Sequence, residues 1–139
     1  MRKLLIIACC IALLSCDPYS EAHLCNESKK DSEVIIKIDR EFVKENWEGD
    51  QTIHFLKDFA KLSTLEELSI DTVLMEGVYK LRAGKCSIVY EGISSKPKFI
   101  FNQMTINYGD TSIVYATRDE IGQAFIVRDG SKYKLAIKD

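Results

Sequence analysis

Much of the chain alternates between apolar and polar residues with the period of a β-strand. Val34, Ile36 and Ile38 are separated by largely polar neighbours, which predicts a strand with one buried face. Short runs of β-branched and aromatic residues recur after residue 69, and residues typical of turns separate them. The last two runs flank Asp129-Gly130, a dipeptide that favours a tight hairpin turn. The pattern therefore predicts several short antiparallel strands.

One segment has a different period. Between residues 52 and 62, apolar residues recur at intervals of three and four, which predicts a short amphipathic helix. We therefore expect a mainly β fold, namely an antiparallel β-sandwich or small barrel with one short amphipathic helix after the first strand. The alternative is an α+β cone, in which a curved sheet wraps around helices and encloses a pocket.

Length and charge limit the number of domains and the classes of partner. The chain has 139 residues, which is the size of a single domain. Lysine and arginine number 19, aspartate and glutamate number 21, and hydrophobic residues make up 46% of the chain. This near-balance is typical of a globular protein, whereas nucleic-acid-binding domains are usually basic. We therefore expect no nucleic-acid partner.

The first sixteen residues have the layout of an export signal. A positively charged start is followed by an apolar run from Leu4 to Leu14, and the small residue Ser15 precedes Cys16. The run is too short to cross a bilayer, which needs about 20 apolar residues. We therefore expect residues 1–15 to be removed as a signal peptide.

The residues around the expected cleavage point, Leu13, Leu14, Ser15 and Cys16, resemble the lipobox of bacterial lipoprotein precursors. The resemblance covers residues 1–16. It implies that Cys16 receives a diacylglycerol, that the leader is cut before it, and that the new amino terminus is acylated with a fatty acid such as palmitate. The implied location is the bacterial cell membrane or outer membrane, facing the periplasm or the exterior. The alternative is an ordinary secretory signal in which Cys16 is incidental.

Cleavage at this point divides the mature chain into two parts. Residues 16–31 are polar and lack an apolar period, so we interpret them as a lipidated, flexible tether. Residues 32–139 are then a single globular domain. Loss of residues 1–15 leaves 17 basic against 21 acidic side chains, a net charge of −4. Because an acidic domain gains nothing from anionic headgroups, we expect a protein or a glycan as its partner.

Two cysteines remain after cleavage and lipidation, Cys25 and Cys86. An exported compartment permits disulfides, so a bridge between them is one interpretation. The other is that both are buried or free thiols, because the sequence does not show whether the two Cα atoms come close enough for a bond.

The search for chemistry yields one candidate contact and no catalytic pattern. Trp47 stands in a polar stretch, where it either contacts a partner or folds back over the core. His23 and His54 have no partner at the spacing of a helical metal site. Phosphate-binding loops, dinucleotide glycine patterns and nucleophile elbows are missing from the sequence. We therefore expect no enzymatic activity, no metal and no cofactor.

These observations favour a membrane-anchored, exported lipoprotein that acts as a non-enzymatic binding or envelope-assembly module. The alternative is an immunity or inhibitor protein that neutralises an exported toxin or enzyme, since an acidic domain suits a basic partner.

Overall fold

The computed structural model describes residues 18–139, so the predicted signal peptide and Cys16 lie outside the described residues. Of the described residues, 46% are in strands and 20% in helices. The strands are β1 (Ser20–Asn26), β2 (Ser32–Ile38), β3 (Glu66–Asp71), β4 (Glu76–Leu81), β5 (Cys86–Gly92), β6 (Phe101–Tyr108), β7 (Thr111–Tyr115), β8 (Ile126–Asp129) and β9 (Lys132–Ile137). The helices of this region are α1 (Arg40–Asn46), α2 (Thr52–Leu62) and α3 (Arg118–Ala124).

The strands form two sheets. One has the order β5-β1-β9-β8 and the other β3-β4-β2-β6-β7. Neighbouring strands are antiparallel except β1 and β9, which are parallel. The fold is mainly β and sandwich-like, as the sequence predicted, and β8 and β9 form the expected hairpin around Asp129-Gly130.

Strand β1 corrects the prediction of a flexible tether over residues 16–31. Residues 20–26 are the strand between β5 and β9, and Ser20, Ala22 and Leu24 have no exposed surface. The buried face includes the small residues Ser20 and Ala22, and the residues between the buried positions, Glu21 and His23, are polar. The segment therefore lacks the clear alternation of large apolar and polar residues that predicts a strand. The globular domain therefore begins by Ser20 and not at residue 32.

Residues from both sheets share one apolar core. Leu24 of β1, Ile36 of β2 and Tyr79 of β4 belong to this core and are almost completely buried. Four phenylalanines extend it with ring-to-ring contacts: Phe59, Phe99, Phe101 and Phe125. The core places the two sheets face to face, which is the arrangement of a sandwich.

Helix α2 has the predicted bounds, and two seven-residue helices that the sequence analysis missed accompany it. Asp39 starts α1 by accepting a hydrogen bond from the backbone N–H of Phe42, at 3.1 Å. A second, smaller apolar cluster lies under α1 and α2. Tyr79 joins α2 to the sheet because its hydroxyl donates to the carbonyl of Leu56 at 2.9 Å. Burial raises the pKa of Tyr79, so this donor stays protonated. None of the helices in the described region has the length and apolar character needed to cross a bilayer.

Cys25 and Cys86 are joined by a disulfide, with the two sulfur atoms 2.06 Å apart. The two residues lie directly opposite each other on β1 and β5. Of the two interpretations that the sequence allows, the structure therefore has the disulfide and not two free thiols. The bond attaches β5, one of the two outer strands of the four-stranded sheet, to its neighbour β1.

Candidate binding groove

A groove runs along the outer edge of β5, between that strand and helices α1 and α2. Its volume is about 720 Å³. Five consecutive β5 residues, Ile88 to Gly92, line it on one side, and side chains from the two helices and the loop between them line the other. We call it the aromatic groove, because its lining is Tyr19, Phe42, Asn46, Trp47, Phe55, Phe59, Ile88, Val89, Tyr90, Glu91, Gly92, Lys98 and Ile100.

Trp47 is the centre of the wall that faces β5. It follows α1 directly, and its backbone N–H donates to the carbonyl of Val43, which ends the helix. The indole packs edge-on against Phe42 of α1 at 6.1 Å and against Phe55 of α2 at 5.1 Å, measured between ring centres. It nevertheless remains 39% exposed. The residue therefore packs over the edge of the core and also lines the groove.

The loop between α1 and α2 is held by Asp50. Its carboxylate accepts hydrogen bonds from the hydroxyl and backbone N–H of Thr52, at 2.7 and 3.2 Å, and from the guanidinium of Arg40, at 2.6 and 2.8 Å. The Thr52 hydroxyl and Arg40 together lower the pKa of Asp50 to about 2. The charged carboxylate thus fastens the start of α2 to the start of α1, and with them the two helices that carry the aromatic wall.

The outer edge of β5 has backbone groups that do not pair with β1. The backbone N–H of Asn26 donates to the carbonyl of Lys85 at 2.8 Å, so these two residues are a hydrogen-bonded pair of the antiparallel ladder. In an antiparallel ladder, hydrogen-bonded and non-hydrogen-bonded pairs alternate. Cys86 and Ile88 are therefore in non-hydrogen-bonded pairs, and their backbone N–H and C=O groups point away from β1. The Thr64 hydroxyl donates to the Cys86 carbonyl at 2.7 Å and covers that end. The Ile88 groups face the groove.

A β-bulge continues the open edge past Ile88. His23 pairs with Ile88 and Ala22 with Tyr90, so Val89 is an extra residue on β5. Beyond the bulge Glu91 lies opposite Glu21, whose backbone N–H donates to Ser131 on the opposite side of β1. The backbone groups of Glu91 therefore also point outward. The edge offers donors and acceptors at both Ile88 and Glu91.

Tyr19 closes one end of the groove. Its hydroxyl donates to the carboxylate of Glu91 at 2.5 Å. This hydrogen bond to a carboxylate raises the pKa of the Tyr19 phenol, so the phenol remains a donor across the physiological range. The contact holds the segment before β1 against the end of β5.

A second pocket of about 630 Å³ adjoins the aromatic groove and shares Phe42, Asn46 and Lys98 with it. We call it the basic pocket, because three cationic side chains line it against one carboxylate. They are Lys96, Lys98 and Arg118, with Asp119 as the carboxylate.

Arg118 is held in place within the basic pocket. Its guanidinium donates to the Asp39 carboxylate at 2.7 Å, and its central carbon lies 3.9 Å from the centre of the Phe42 ring. Both contacts lie at the start of α1, so they also orient the ring that the pocket and the groove share. The two lysines are exposed, and no ion pair joins either of them to a carboxylate in the described part of the chain.

The two histidines lie outside both pockets. His23 contacts the carboxylate of Glu21 at 2.9 Å, and His54 contacts Asp58 at 3.0 Å. Within residues 18–139, no group of three or more histidine, cysteine, aspartate or glutamate side chains is arranged to hold a metal ion.

The structure brings only one of the residues singled out from the sequence into the groove itself, namely Trp47. The Cys25–Cys86 bridge lies at the covered end of β5, and Cys16 lies outside the described residues. Sequence reasoning missed Phe42, because the seven-residue helix α1 is too short for a helical period to be recognised. It placed Phe55 within the predicted helix α2 but gave no sign that this ring meets Trp47. Comparison with protein-family models, with curated proteins and with solved structures found no match.

Proposed function

We propose that the protein is a non-enzymatic, lipid-anchored binding module of the bacterial cell envelope. In this proposal it binds an extended segment of a partner protein, which adds as a new strand beside β5. The observation that carries the proposal is the uncovered edge of β5 along an apolar, aromatic groove.

The backbone of the groove supports strand addition. Ile88 and Glu91 present N–H and C=O groups to an incoming strand, which would extend the four-stranded sheet by one member. In this mode of recognition the main-chain hydrogen bonds provide affinity, and pockets for alternate side chains provide specificity. The five lining residues of β5 match an extended segment of roughly five residues, or about 16 Å at the usual rise of a strand.

The aromatic wall supplies the pockets for side chains. Successive side chains of an extended segment point to opposite faces, so every second one would meet the wall formed by Phe42, Trp47 and Phe55. Aromatic side chains bury a large apolar area and are frequent at the energetic centres of interfaces. The groove therefore suits a segment with apolar residues at alternate positions.

The anchored and exported location rests on two features of the chain. The first is the lipobox-like stretch that ends at Cys16. The second is the disulfide between Cys25 and Cys86, because structural disulfides persist in oxidising, exported compartments. The bridge holds the strand that the proposed partner would extend.

The proposal is tested with random peptides displayed on phage and selected against the Cys16→Ala protein. Trp47 is the only tryptophan of the chain, so its fluorescence reports occupation of the groove directly. A selected peptide is then resynthesised with single N-methyl groups along its main chain. We expect each methyl group that removes a hydrogen bond to β5 to cost about 1 kcal/mol, or roughly a fivefold loss of affinity.

The decisive result is the spacing of these losses. Strand addition predicts that affinity falls at every second position, because alternate amide groups face the partner strand. Equal tolerance of N-methylation at all positions would contradict the proposal, as would binding that leaves Trp47 fluorescence unchanged. Failure to select any extended peptide, together with tight binding of a basic toxin or enzyme, would favour the inhibitor alternative.

A further inference from the structure

The geometry points to the class of partner. We infer that the aromatic groove binds the segment of an integral membrane protein that lies directly outside its transmembrane span, on the exported side of the membrane. This inference rests on the proposed function and specifies its partner. Three observations carry it: the distance from the groove to Cys16, the side chains at its rim, and the charge of the adjoining pocket.

The first observation is the short chain between the anchor and the groove. Tyr19 lines the groove, and its hydroxyl is hydrogen-bonded to Glu91. Cys16 precedes Tyr19 by three residues in the sequence. A chain spans at most about 3.6 Å per residue, so the three-residue connection between a lipid on Cys16 and Tyr19 is at most about 11 Å long. Residues 20–26 form a strand and not a tether, so they add no flexible chain length that would let the groove move away from the bilayer.

The second observation is the amphipathic rim of the groove. Tyr19 and Trp47 are both partly exposed there, and Ile93, directly beyond β5, is 73% exposed. Tyrosine and tryptophan are enriched at membrane–water interfaces, where an apolar ring and a polar tip both find suitable surroundings. This composition suits a surface that works beside lipid headgroups.

The third observation is charge complementarity. Lys96 and Lys98 line the basic pocket beside the groove without an ion-pair partner among the described residues, and Arg118 lines it while paired with Asp39. The pocket is thus locally positive, although the mature chain has a net charge of −4. Lysine and arginine are concentrated on the cytoplasmic flanks of transmembrane spans, so the exported flanks are comparatively poor in positive charge. A neutral or acidic exported flank therefore matches the pocket, and its apolar residues match the groove.

The inference is tested by site-specific photocrosslinking in the lipidated, full-length protein in the membranes of its own cells. A benzophenone amino acid replaces Ile93, which directly follows Gly92, the last β5 residue that lines the groove. The matched control places it at Val73, which is 88% exposed in the turn between β3 and β4, two strands that contribute no residue to either pocket. We expect adducts at position 93, but not at position 73, within about ten residues of a transmembrane span on its exported side.

The outcomes separate this inference from the proposed function. Adducts that map to a soluble envelope protein, or far from any span, overturn the inference but leave strand addition intact. Adducts to phospholipid alone, or no adduct from protein that fractionates with membranes, also overturn it. Loss of the alternating N-methyl pattern would instead overturn the proposed function itself.

A change in anchor length provides a second test. A flexible Gly-Ser insertion of about 15 residues between Asp17 and Pro18 lengthens the connection from the lipid to the groove roughly sixfold. Effective concentration falls with about the three-halves power of linker length, so we expect roughly 15-fold fewer adducts at position 93. Peptide affinity in solution should not change. The same insertion between Asp129 and Gly130, in the exposed hairpin turn, is the control and should preserve the adducts.

Discussion

Two strands, β5 and β3, each lie at the edge of a sheet but present very different edges. Strand β5 has one charged residue, Glu91, and faces the aromatic groove. Strand β3 has three acidic residues among six, and Glu66 is paired with Lys80 and Arg82. Charged side chains are one way in which proteins protect edge strands from pairing with other chains.

The difference indicates that β5 and β3 are not equally protected from pairing with another chain. The same protein covers one end of β5 with Thr64 and fastens that end by a disulfide, while the portion from Ile88 to Gly92 stays open. Strand β5 is thus fixed at one end, and its remaining five residues face the groove without a neighbouring strand on that side. This arrangement is suited to the addition of one strand. The predictions below test how far β5 and β3 differ.

The largest expected effect follows removal of the disulfide. The bridge joins residues 61 positions apart, and closing a loop of that length restricts the unfolded chain by about 4 kcal/mol. We therefore expect Cys25→Ala with Cys86→Ala to lower the free energy of unfolding by roughly that amount, measured by chemical denaturation. Amide exchange should accelerate more in β5 than in β3. The reduced wild-type protein is the control and should match the double variant; a loss below about 1 kcal/mol would contradict the prediction.

The next effect concerns the aromatic wall. Replacement of a tryptophan at the centre of an interface commonly costs 2 kcal/mol or more, so we expect Trp47→Ala to weaken binding of a selected peptide by about 30-fold. Leu68→Ala on β3 is the matched control, since Leu68 is 47% exposed and lies outside the groove. Isothermal titration calorimetry provides the affinities without the fluorescence of Trp47. An equal loss of peptide affinity in both variants would show that the groove beside β5 contributes no more to binding than the exposed surface of β3.

The smallest expected effect is on the pH dependence of the free energy of unfolding. It involves Asp50, which holds the loop between the two helices of the groove. Folding lowers the pKa of this carboxyl to about 2, so its stabilising contribution is present above the ordinary pKa near 4 and is lost as the pH falls towards 2. We expect Asp50→Asn to make unfolding free energy depend less steeply on pH between about 4 and 2. Glu48→Gln in the same loop is the control, because Glu48 shows no side-chain hydrogen bond or ion pair within the described residues. Parallel curves for wild type and Asp50→Asn would contradict the prediction.

The parts of the fold that the sequence predicted depend on local patterns. Helix α2 has an uninterrupted helical period between residues 52 and 62, and the last hairpin has a turn dipeptide between two apolar runs. Both signals lie within a few residues of the structure that they specify. Local chemistry is sufficient to predict such elements.

The missed parts depend on distant partners. Strand β1 is central because β5 and β9 pair with it on either side, and Ala22 and Leu24 are buried in the core shared with the other sheet. Its segment has no apolar run from which this position could be predicted. The groove was missed for the same reason, since the order of strands in the sheet determines which edge stays open. Trp47 could be singled out by its residue type, but its neighbours Phe42 and Phe55 acquire their role only when the two helices meet.

The parallel pairing of β1 with β9 has a consequence for how the protein reaches its native state. Glu21 cannot pair with Lys132 until nearly the whole described chain has been made. Contacts between residues so distant along the chain slow folding, because the loop between them must close before the contacts stabilise anything. The first strand of the described chain is thus among the last to be secured. Until β1 is in place, both edges of β5 are open to pairing with other chains.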